Sequence, residues 1–254
     1  MIKLKDMVSD STVLSEGLKN NAQKHQSYKI YTSMDRALAF LLDGRLYVTD
    51  GAHWNDVSDS KNLEARSLYA TCFSCSTREN IAMWMLYGGS RGKNGALISL
   101  YPSIIEKIIE STHVALGNFG SDGKYHVNHI LNRNTDFSIF LTDMLYVDPC
   151  KNKKAKVTCS GESVVIKETI MKNDDVFCKN IAWEYEKECR LVIRLSESWK
   201  KRAAKEKLNA ICITLDKSSL NKMRNRGLTR SPIYCGDVEI GTPSNLTGAV
   251  KWEI

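Results

Sequence analysis

The chain has 254 residues, a formal net charge of +7 at pH 7 and a hydrophobic content of 43%. These values are those of a globular protein with one sizeable core. The absence of any apolar run near ~18–20 residues excludes a predicted membrane-spanning helix. The first residues, Met-Ile-Lys-Leu-Lys-Asp-Met-Val, lack a secretory apolar region, and the eight cysteines form no disulfide framework, so we expect reduced thiols and a cytoplasmic protein.

The first half of the chain alternates short strands with short helices. Ser33 is placed to cap a helix, and Gly44 suits the left-handed residue that ends it. The apolar face of this helix is expected to carry Leu38, Leu41 and Leu42. The elements expected up to residue 110 are strands at Tyr28–Tyr31, Arg45–Thr49, Leu68–Ser74 and Ala96–Leu100, a loop at Asp50–Asp56, and helices at Met34–Asp43, after Thr77 and at Pro102–Ile109.

The second half of the chain has less regular spacing. The elements expected there are an irregular insertion at 111–135, a mixed segment at 139–147, a helix at 162–173, a strand at 186–194, a basic helix at Glu197–Leu208, a strand at Ala210–Leu215, a short helix from Asp216 to near Gly227, and a strand at Ile233–Cys235. Because strands and helices interleave without a regular β-α-β rhythm, we predict an α+β fold with a largely antiparallel sheet. Residues 1–27 are predicted to be a polar lead-in, and residues 28–254 a single domain.

The segment Trp183–Arg194 has the most unusual pattern in the chain. If it is a strand, one face carries Glu184, Glu186, Glu188 and Arg190. Glu is depleted in strands, and like charges along one face repel each other. Such a face is therefore either an exposed ladder of ion pairs or the wall of a cleft. The position of the acids between two aromatic residues and the apolar run Leu191–Ile193 favours a cleft, in which Glu188 lies deepest.

Several segments, taken in order, resemble the bacterial family catalogued as domain of unknown function 2971. They are Ile30-Tyr-Thr-Ser33 with the following helix and Gly44–Val48, Trp54-Asn-Asp56, Cys72-Phe-Ser74 with Met83-Trp84 and Tyr87, Trp183-x-Tyr-Glu-x-Glu-x-Arg190, and Ile233–Gly236. The resemblance covers most of the chain, and its specificity lies in the ordered combination. The family usually has Pro after Asn-Asp, whereas this chain has Val57, which affects the stiffness of the loop.

The same order of elements is similar in layout to ADP-ribosyltransferases, particularly those that modify nucleic acids. The similar features are an opening Tyr-x-Ser strand, a helix, a Gly-x-Leu strand, an aromatic-rich strand and helix, and a late strand that bears Glu. The resemblance implies an ADP-ribosyltransferase-like split sheet, mostly antiparallel, with peripheral helices. It also implies that the sheet clamps NAD as a substrate.

The resemblance further implies roles for particular residues. Glu188 or Glu186 would be the catalytic carboxylate, which stabilises the oxocarbenium character as the bond to nicotinamide breaks and takes the proton of the acceptor. The residues expected to bind the cofactor are Tyr31, Ser74, Trp84, Tyr87, Arg190 and His53. For three of these residues a structural alternative stays open, because Trp84 lies on an apolar stripe, Ser74 ends a strand, and His53 lies in a loop.

The basic excess is concentrated in three segments, Lys151–Lys156, Trp199–Lys207 and Arg224–Arg230. Each could contact nucleic acid or a phosphorylated small molecule, and each also fits a solvated surface. Cys72-x-x-Cys75 lacks the second pair that a zinc site needs, so no metal is expected. Two functions therefore stay open. One is an NAD-dependent ADP-ribosyltransferase or NAD glycohydrolase of a bacterial defence or toxin system; the other is a non-catalytic binding module with a nucleotide-type pocket.

Overall fold

The computed structural model describes residues 25–52, 54, 67–78, 80–88, 95–150, 154–159, 162–167, 177–215, 233–235 and 238–241. Their strands are β1 (Tyr28–Ser33), β2 (Arg45–Thr49), β3 (Leu68–Ser74), β4 (Gly95–Leu100), β5 (Val114–Phe119), β6 (Tyr125–Leu131), β7 (Phe137–Asp143), β8 (Leu145–Cys150), β9 (Lys154–Cys159), β10 (Glu162–Lys167), β11 (Cys178–Asn180), β12 (Glu188–Leu195), β13 (Ala210–Thr214), β14 (Ile233–Cys235) and β15 (Val238–Gly241). Their helices are α1 (Met34–Asp43), α2 (Ile81–Tyr87), α3 (Pro102–Glu110), α4 (Glu197–Glu206) and the 3₁₀ helix Ile181–Glu186.

The pairing of these strands confirms the predicted α+β class with a mostly antiparallel sheet. Among the pairs whose register is defined, β11 with β8 is parallel and the others are antiparallel. Antiparallel strands can be joined by short turns, which suits a chain without regular crossover helices. The described residues fall into two compact units, a larger and a smaller one.

The smaller unit contains residues 25–46 and 73–111 and the strands β14 and β15. Its strands lie in the order β14-β15-β4-β1, and β1 also pairs with the end of β3 at Lys29 and Ser74. Helix α1 begins as predicted, because the Ser33 hydroxyl accepts a hydrogen bond from Arg36 N at 3.4 Å. It ends as predicted at Gly44, whose φ of 68° is left-handed.

Two details of the helices in the smaller unit correct the sequence predictions. The buried face of α1 is formed by Ala37, Phe40 and Leu41, and Leu42 is exposed. Leu42 belongs to the apolar run, but the 3.6-residue period turns it towards solvent. Helix α2 begins at Ile81 with Asn80 as its cap, since the Asn80 side chain accepts from Met83 N, so Thr77 is not the capping residue.

The larger unit contains residues 47–72 and 112–212 and holds two sheets. The first has the strand order β6-β5-β13-β2-β3-β12-β7. The second has the order β10-β9-β8-β11, with Lys179 of β11 opposite Tyr146 of β8. Both sheets contribute to one hydrophobic core, which includes Leu68, Ala70, Leu145, Val157, Phe177 and Val192.

Two segments of the larger unit differ from the sequence predictions. Residues 111–135 are not an irregular insertion, because β5 and β6 form a hairpin that runs from Val114 opposite Leu131 to Phe119 opposite Tyr125. The hairpin register shifts between Leu116 and Gly117, which breaks the period-two alternation that identifies a strand. Residues 162–167 form β10 rather than a helix, because they pair with β9 along their whole length.

The mixed segment at 139–147 is resolved into β7 and the start of β8, and the final strand at Ile233–Cys235 is confirmed. Most of the predicted lead-in at 1–27, the helix predicted from Asp216 and the cofactor candidate His53 lie outside the described residues. The prediction that residues 28–254 form a single domain stays a prediction. No helix among the described residues is long and apolar enough to cross a membrane.

Candidate functional site

The strand expected at 186–194 is present as β12, but the residues before Glu188 are not part of it. Residues Ile181–Glu186 form a 3₁₀ helix, which the Asn180 side chain caps by accepting from Ala182 N at 2.9 Å. Lys187 then adopts a left-handed conformation with φ 47°, and β12 starts at Glu188. The helix leaves Glu184 partly accessible to solvent. Glu184 therefore does not share one face with the other two glutamates, and only Glu186 and Glu188 share a buried location.

Glu186 and Glu188 meet two cations in the interior of the larger unit, and the four residues form what we call the ion cluster (Lys179, Glu186, Glu188 and Arg190). Lys179 Nζ donates to Glu186 Oε2 at 2.6 Å and lies 2.7 Å from Glu188 Oε2 as an ion pair without the alignment of a hydrogen bond. Arg190 Nε donates to Glu188 Oε1 at 2.5 Å. The exposed fractions are 8% for Lys179, 3% for Glu186, 5% for Glu188 and 0% for Arg190.

Aromatic residues enclose the ion cluster. The Arg190 guanidinium lies 5.1 Å from the ring centroid of Trp54, and Lys179 Nζ lies 5.3 Å from that of Trp183. Cations at these distances are attracted by the negative face of an aromatic ring. Tyr146, opposite Lys179 across the parallel strands, accepts a hydrogen bond from Glu188 N at 2.7 Å. The cluster is thus held by β8, β11 and β12 together.

The charges of the ion cluster determine how its members ionise. Burial alone would raise the pKa of Glu188, but the Arg190 guanidinium and then the Lys179 ammonium outweigh burial and hold it well below its usual range. Burial would lower the pKa of Lys179, but the Glu188 carboxylate together with Cys72 and Glu186 outweighs burial and raises it. At neutral pH Glu188 is therefore an anion and Lys179 a cation.

Two neutral groups border the same cluster. Burial, followed by the Glu188 charge, raises the pKa of the Cys72 thiol and of the Tyr146 hydroxyl. Both stay protonated at neutral pH, so Cys72 is an unreactive thiol rather than a nucleophile. Because the Glu188 and Glu186 oxygens face an ammonium or a guanidinium, this arrangement does not favour a bound metal cation.

Lys179 is the residue of the cluster that the sequence analysis did not select. It lies in a three-residue strand, Cys178–Asn180, with no motif around it. Charge balance does indicate that a further cation is needed. If Glu186 and Glu188 were buried with Arg190 alone, one carboxylate would have no cationic partner. Nothing in the sequence, however, distinguished Lys179 from the many other lysines that could have supplied that charge.

The other described cofactor candidates lie in the smaller unit. Tyr31 and Trp84 are buried and pack edge to face at a centroid distance of 4.9 Å, with Tyr87 against them. The Tyr31 hydroxyl accepts from Asn80 N at 3.3 Å, and Ser74 is buried at the end of β3. The structural alternative accounts for Trp84, which is only 1% exposed. The cofactor roles of these residues stay predictions.

Comparisons with known proteins do not extend the resemblances seen in the sequence. No protein-family model matches this chain. Neither the curated proteins nor the solved structures yield a significant match. Functional proposals therefore depend on the geometry of the described residues and on elementary chemistry.

Proposed function

We propose that the protein is a nucleotide-binding module in which the ion cluster is a structural anchor. The observation that carries this proposal is the state of Glu188, which is buried and ion-paired with both Arg190 and Lys179. A general base works best when its pKa lies near the working pH, whereas the pKa of Glu188 lies far below it. Its negative charge is also already balanced by two cations.

The surface beside the anchor suits the planar part of a nucleotide. Trp183 and Tyr185 project from the 3₁₀ helix with ring centroids 6.0 Å apart and planes tilted by 35°. Tyr185 is exposed, and so is the cation Lys187, which follows it by two residues in the sequence. An accessible aromatic ring beside a cation can stack a base and attract a phosphate. The net charge of +7 favours the same anionic ligands, including NAD and nucleic acid.

Tyr185→Ala is expected to weaken binding of NAD or a related nucleotide by roughly 5- to 150-fold, because base stacking on an aromatic ring contributes ~1–3 kcal/mol. Isothermal titration calorimetry with NAD, AMP and a short single-stranded oligonucleotide measures the effect. Tyr101→Ala is the matched control, because Tyr101 is a similarly exposed tyrosine in the smaller unit. Equal affinity of Tyr185→Ala and the wild type for every ligand would contradict the stacking surface.

A second function also has support. Glu186, Glu188 and Arg190 belong to one sequence pattern, and their side chains meet in the ion cluster. In this alternative the protein is an NAD-dependent ADP-ribosyltransferase or NAD glycohydrolase. Bound ligand phosphates would then take the place of Glu188 as the partner of Arg190 or Lys179. The freed carboxylate could stabilise the positive charge that develops as the bond to nicotinamide breaks.

Glu188→Gln separates the two functions, because it removes the charge and retains the size of the side chain. A transferase is expected to lose turnover by orders of magnitude with NAD affinity nearly unchanged, since the charge acts mainly in the transition state. The measurements are release of nicotinamide from labelled NAD, and label transfer to DNA, RNA or protein. Glu184→Gln, in the preceding 3₁₀ helix and partly accessible to solvent, is the control.

The wild-type measurement decides the outcome. If the wild type releases no nicotinamide with any acceptor but binds NAD, the binding module stands and the enzyme is excluded. If it releases nicotinamide and Glu188→Gln does not, the structural-anchor proposal fails. The folded state of each variant is checked by its unfolding transition at the assay temperature.

A further inference from the structure

A pocket of about 360 Å³ lies in the larger unit, between the end of β6 and the turn that follows it. Its lining residues are Thr112, Ile130, Leu131, Asn132, Arg133, Asn134 and Asp136. A volume of this size falls in the range of small-molecule sites. The pocket shares no residue with the ion cluster or with the Trp183–Tyr185 surface.

Arg133 supplies a positive charge to this pocket. Its Nη1 atom is buried and has no hydrogen-bond partner among the described residues. A buried donor without an acceptor is unfavourable, so such a group normally meets water or an anion. Guanidinium groups present parallel N–H donors that match carboxylate and phosphate oxygens. Arg133 lines the pocket and therefore offers a guanidinium suited to an anion there.

The acid in the lining, Asp136, makes its hydrogen bonds within the turn. Asp136 Oδ2 accepts from Asn132 N at 2.7 Å, and Asp136 Oδ1 accepts from the Thr135 hydroxyl at 2.9 Å. The hydrogen bond from the Asn132 backbone lowers the pKa of Asp136, and the carboxylate closes the turn. Its oxygens thus already hold the backbone in place.

Backbone hydrogen bonds also hold the turn together and join it to Ser196. Asp136 N and Thr135 N donate to Asn132 O, and Ser196 N donates to Asp136 O at 2.7 Å. Asn134 N donates to Asn132 Oδ1 at 3.0 Å. These bonds preorganise the turn, which lowers the entropy that a ligand must overcome. Exposed Asn132 and Asn134 offer further amide donors, and Ile130 offers an apolar wall.

We propose that this pocket binds a small molecule that carries a phosphate or carboxylate group, with Arg133 on the oxyanion and Ile130 on the apolar part. This binding does not depend on the nucleotide-binding function proposed above. Phosphate and carboxylate share the chemistry that the guanidinium recognises, so the identity of the anion is decided by experiment.

The test uses the full chain and three probes: inorganic phosphate, phenyl phosphate and benzoate. Calorimetry measures the affinity, and ¹H–¹⁵N NMR locates the bound probe. We expect saturable binding of phenyl phosphate or benzoate, with shifts concentrated at residues 130–136. Arg133→Gln is expected to weaken that binding at least tenfold. Arg78→Gln, which removes an exposed arginine of the smaller unit, is the control and should leave the affinity unchanged.

A second variant covers the case in which Arg133→Gln does not fold. Asn134→Asp, at an exposed turn position, adds a negative charge at the pocket and should weaken anion binding by a similar factor. Phosphate-only or carboxylate-only binding identifies the ligand class. The absence of saturable binding for all three probes, equal affinity in the Arg133 or Asn134 variant, or shifts confined to other residues would each overturn the proposal.

Discussion

Arg190→Met is expected to lower the free energy of unfolding by about 3–5 kcal/mol, because it leaves Glu188 buried with one of its two cationic partners removed. The guanidinium is fully buried, donates to Glu188 Oε1 and lies on the face of Trp54. Methionine fills a similar volume, so the change reports the lost charge more than a cavity. Urea unfolding followed by circular dichroism measures the effect.

Arg194→Met is the matched control for this variant. Arg194 belongs to the same strand, β12, but is only partly buried, and its guanidinium lies over Phe140 at 5.9 Å rather than on a carboxylate. Its loss should cost at most about 1 kcal/mol, as for accessible charges. Equal losses of unfolding free energy in the two variants would show that the Arg190–Glu188 ion pair contributes no more to stability than a partly buried arginine does.

Glu188→Leu, made alone and together with Arg190→Met, completes a double-mutant cycle. The double variant removes one anion and one cation and leaves Lys179 paired with Glu186 at 2.6 Å. Replacing a whole buried pair by apolar residues is often nearly neutral. We therefore expect the double variant to regain much of the stability that Arg190→Met loses. A double variant less stable than Arg190→Met would contradict the assignment of the loss to the unpaired charge.

Lys179→Met is expected to have an effect of similar size, about 3–5 kcal/mol at pH 7, because its ammonium balances both glutamates of the ion cluster. Unlike Arg190→Met, it leaves two carboxyl groups near each other with a single guanidinium. One of them should then take up a proton more readily than in the wild type, since like charges raise a carboxyl pKa. The loss should therefore depend on pH.

The direction of the pH dependence follows from proton linkage. In the wild type, the lowered pKa of Glu188 gives stability that is present above its unfolded pKa of about 4.3 and is lost only as pH falls through the lower folded pKa. The raised pKa of Lys179 gives stability that is present below its unfolded pKa of about 10.4 and is lost as pH rises through the higher folded value. Neither group makes the wild-type stability vary between pH 7 and pH 5.

In Lys179→Met, by contrast, a carboxyl group with a raised folded pKa binds its proton more tightly in the folded state. Folding stability then increases as the pH falls, so the gap to the wild type should narrow between pH 7 and pH 5. Urea midpoints at both pH values measure this change. Lys156→Met, at an exposed position of β9, is the control and should give a constant, small difference. A constant gap for Lys179→Met would contradict proton uptake by the cluster.

Local signals in the sequence predict many of the elements. The Ser33 cap and Gly44 at the end of α1 are short-range features, and both are present in the structure. The strand Leu68–Ser74, with its buried apolar and aromatic residues, is equally local in origin. Such features depend on residues within one turn or one strand, so the sequence contains all the information that specifies them.

Two elements are predicted less well, although each pairs with its neighbour along the chain. The segment Tyr125–Leu131 has exposed Val127 and Ile130, and its partner strand carries a register shift. The pattern of Glu162–Lys167 predicts a helix, although β9 holds this segment as a strand through cross-strand pairing. Neither segment shows the regular alternation of buried apolar and exposed polar residues that identifies a strand, so the pattern does not reveal its hairpin.

By itself, the sequence determined that Glu186, Glu188 and Arg190 form an unusual charged group next to an apolar run, and that the fold is α+β. The tertiary structure decided that this group is buried, that a 3₁₀ helix turns Glu184 away from it, and that Lys179 completes it. The physical reason is that buried charges are tolerated only when oppositely charged partners balance them. Here the parallel pairing of β11 with β8 brings Lys179 to both glutamates. The spacing of residues along the chain does not predict that pairing.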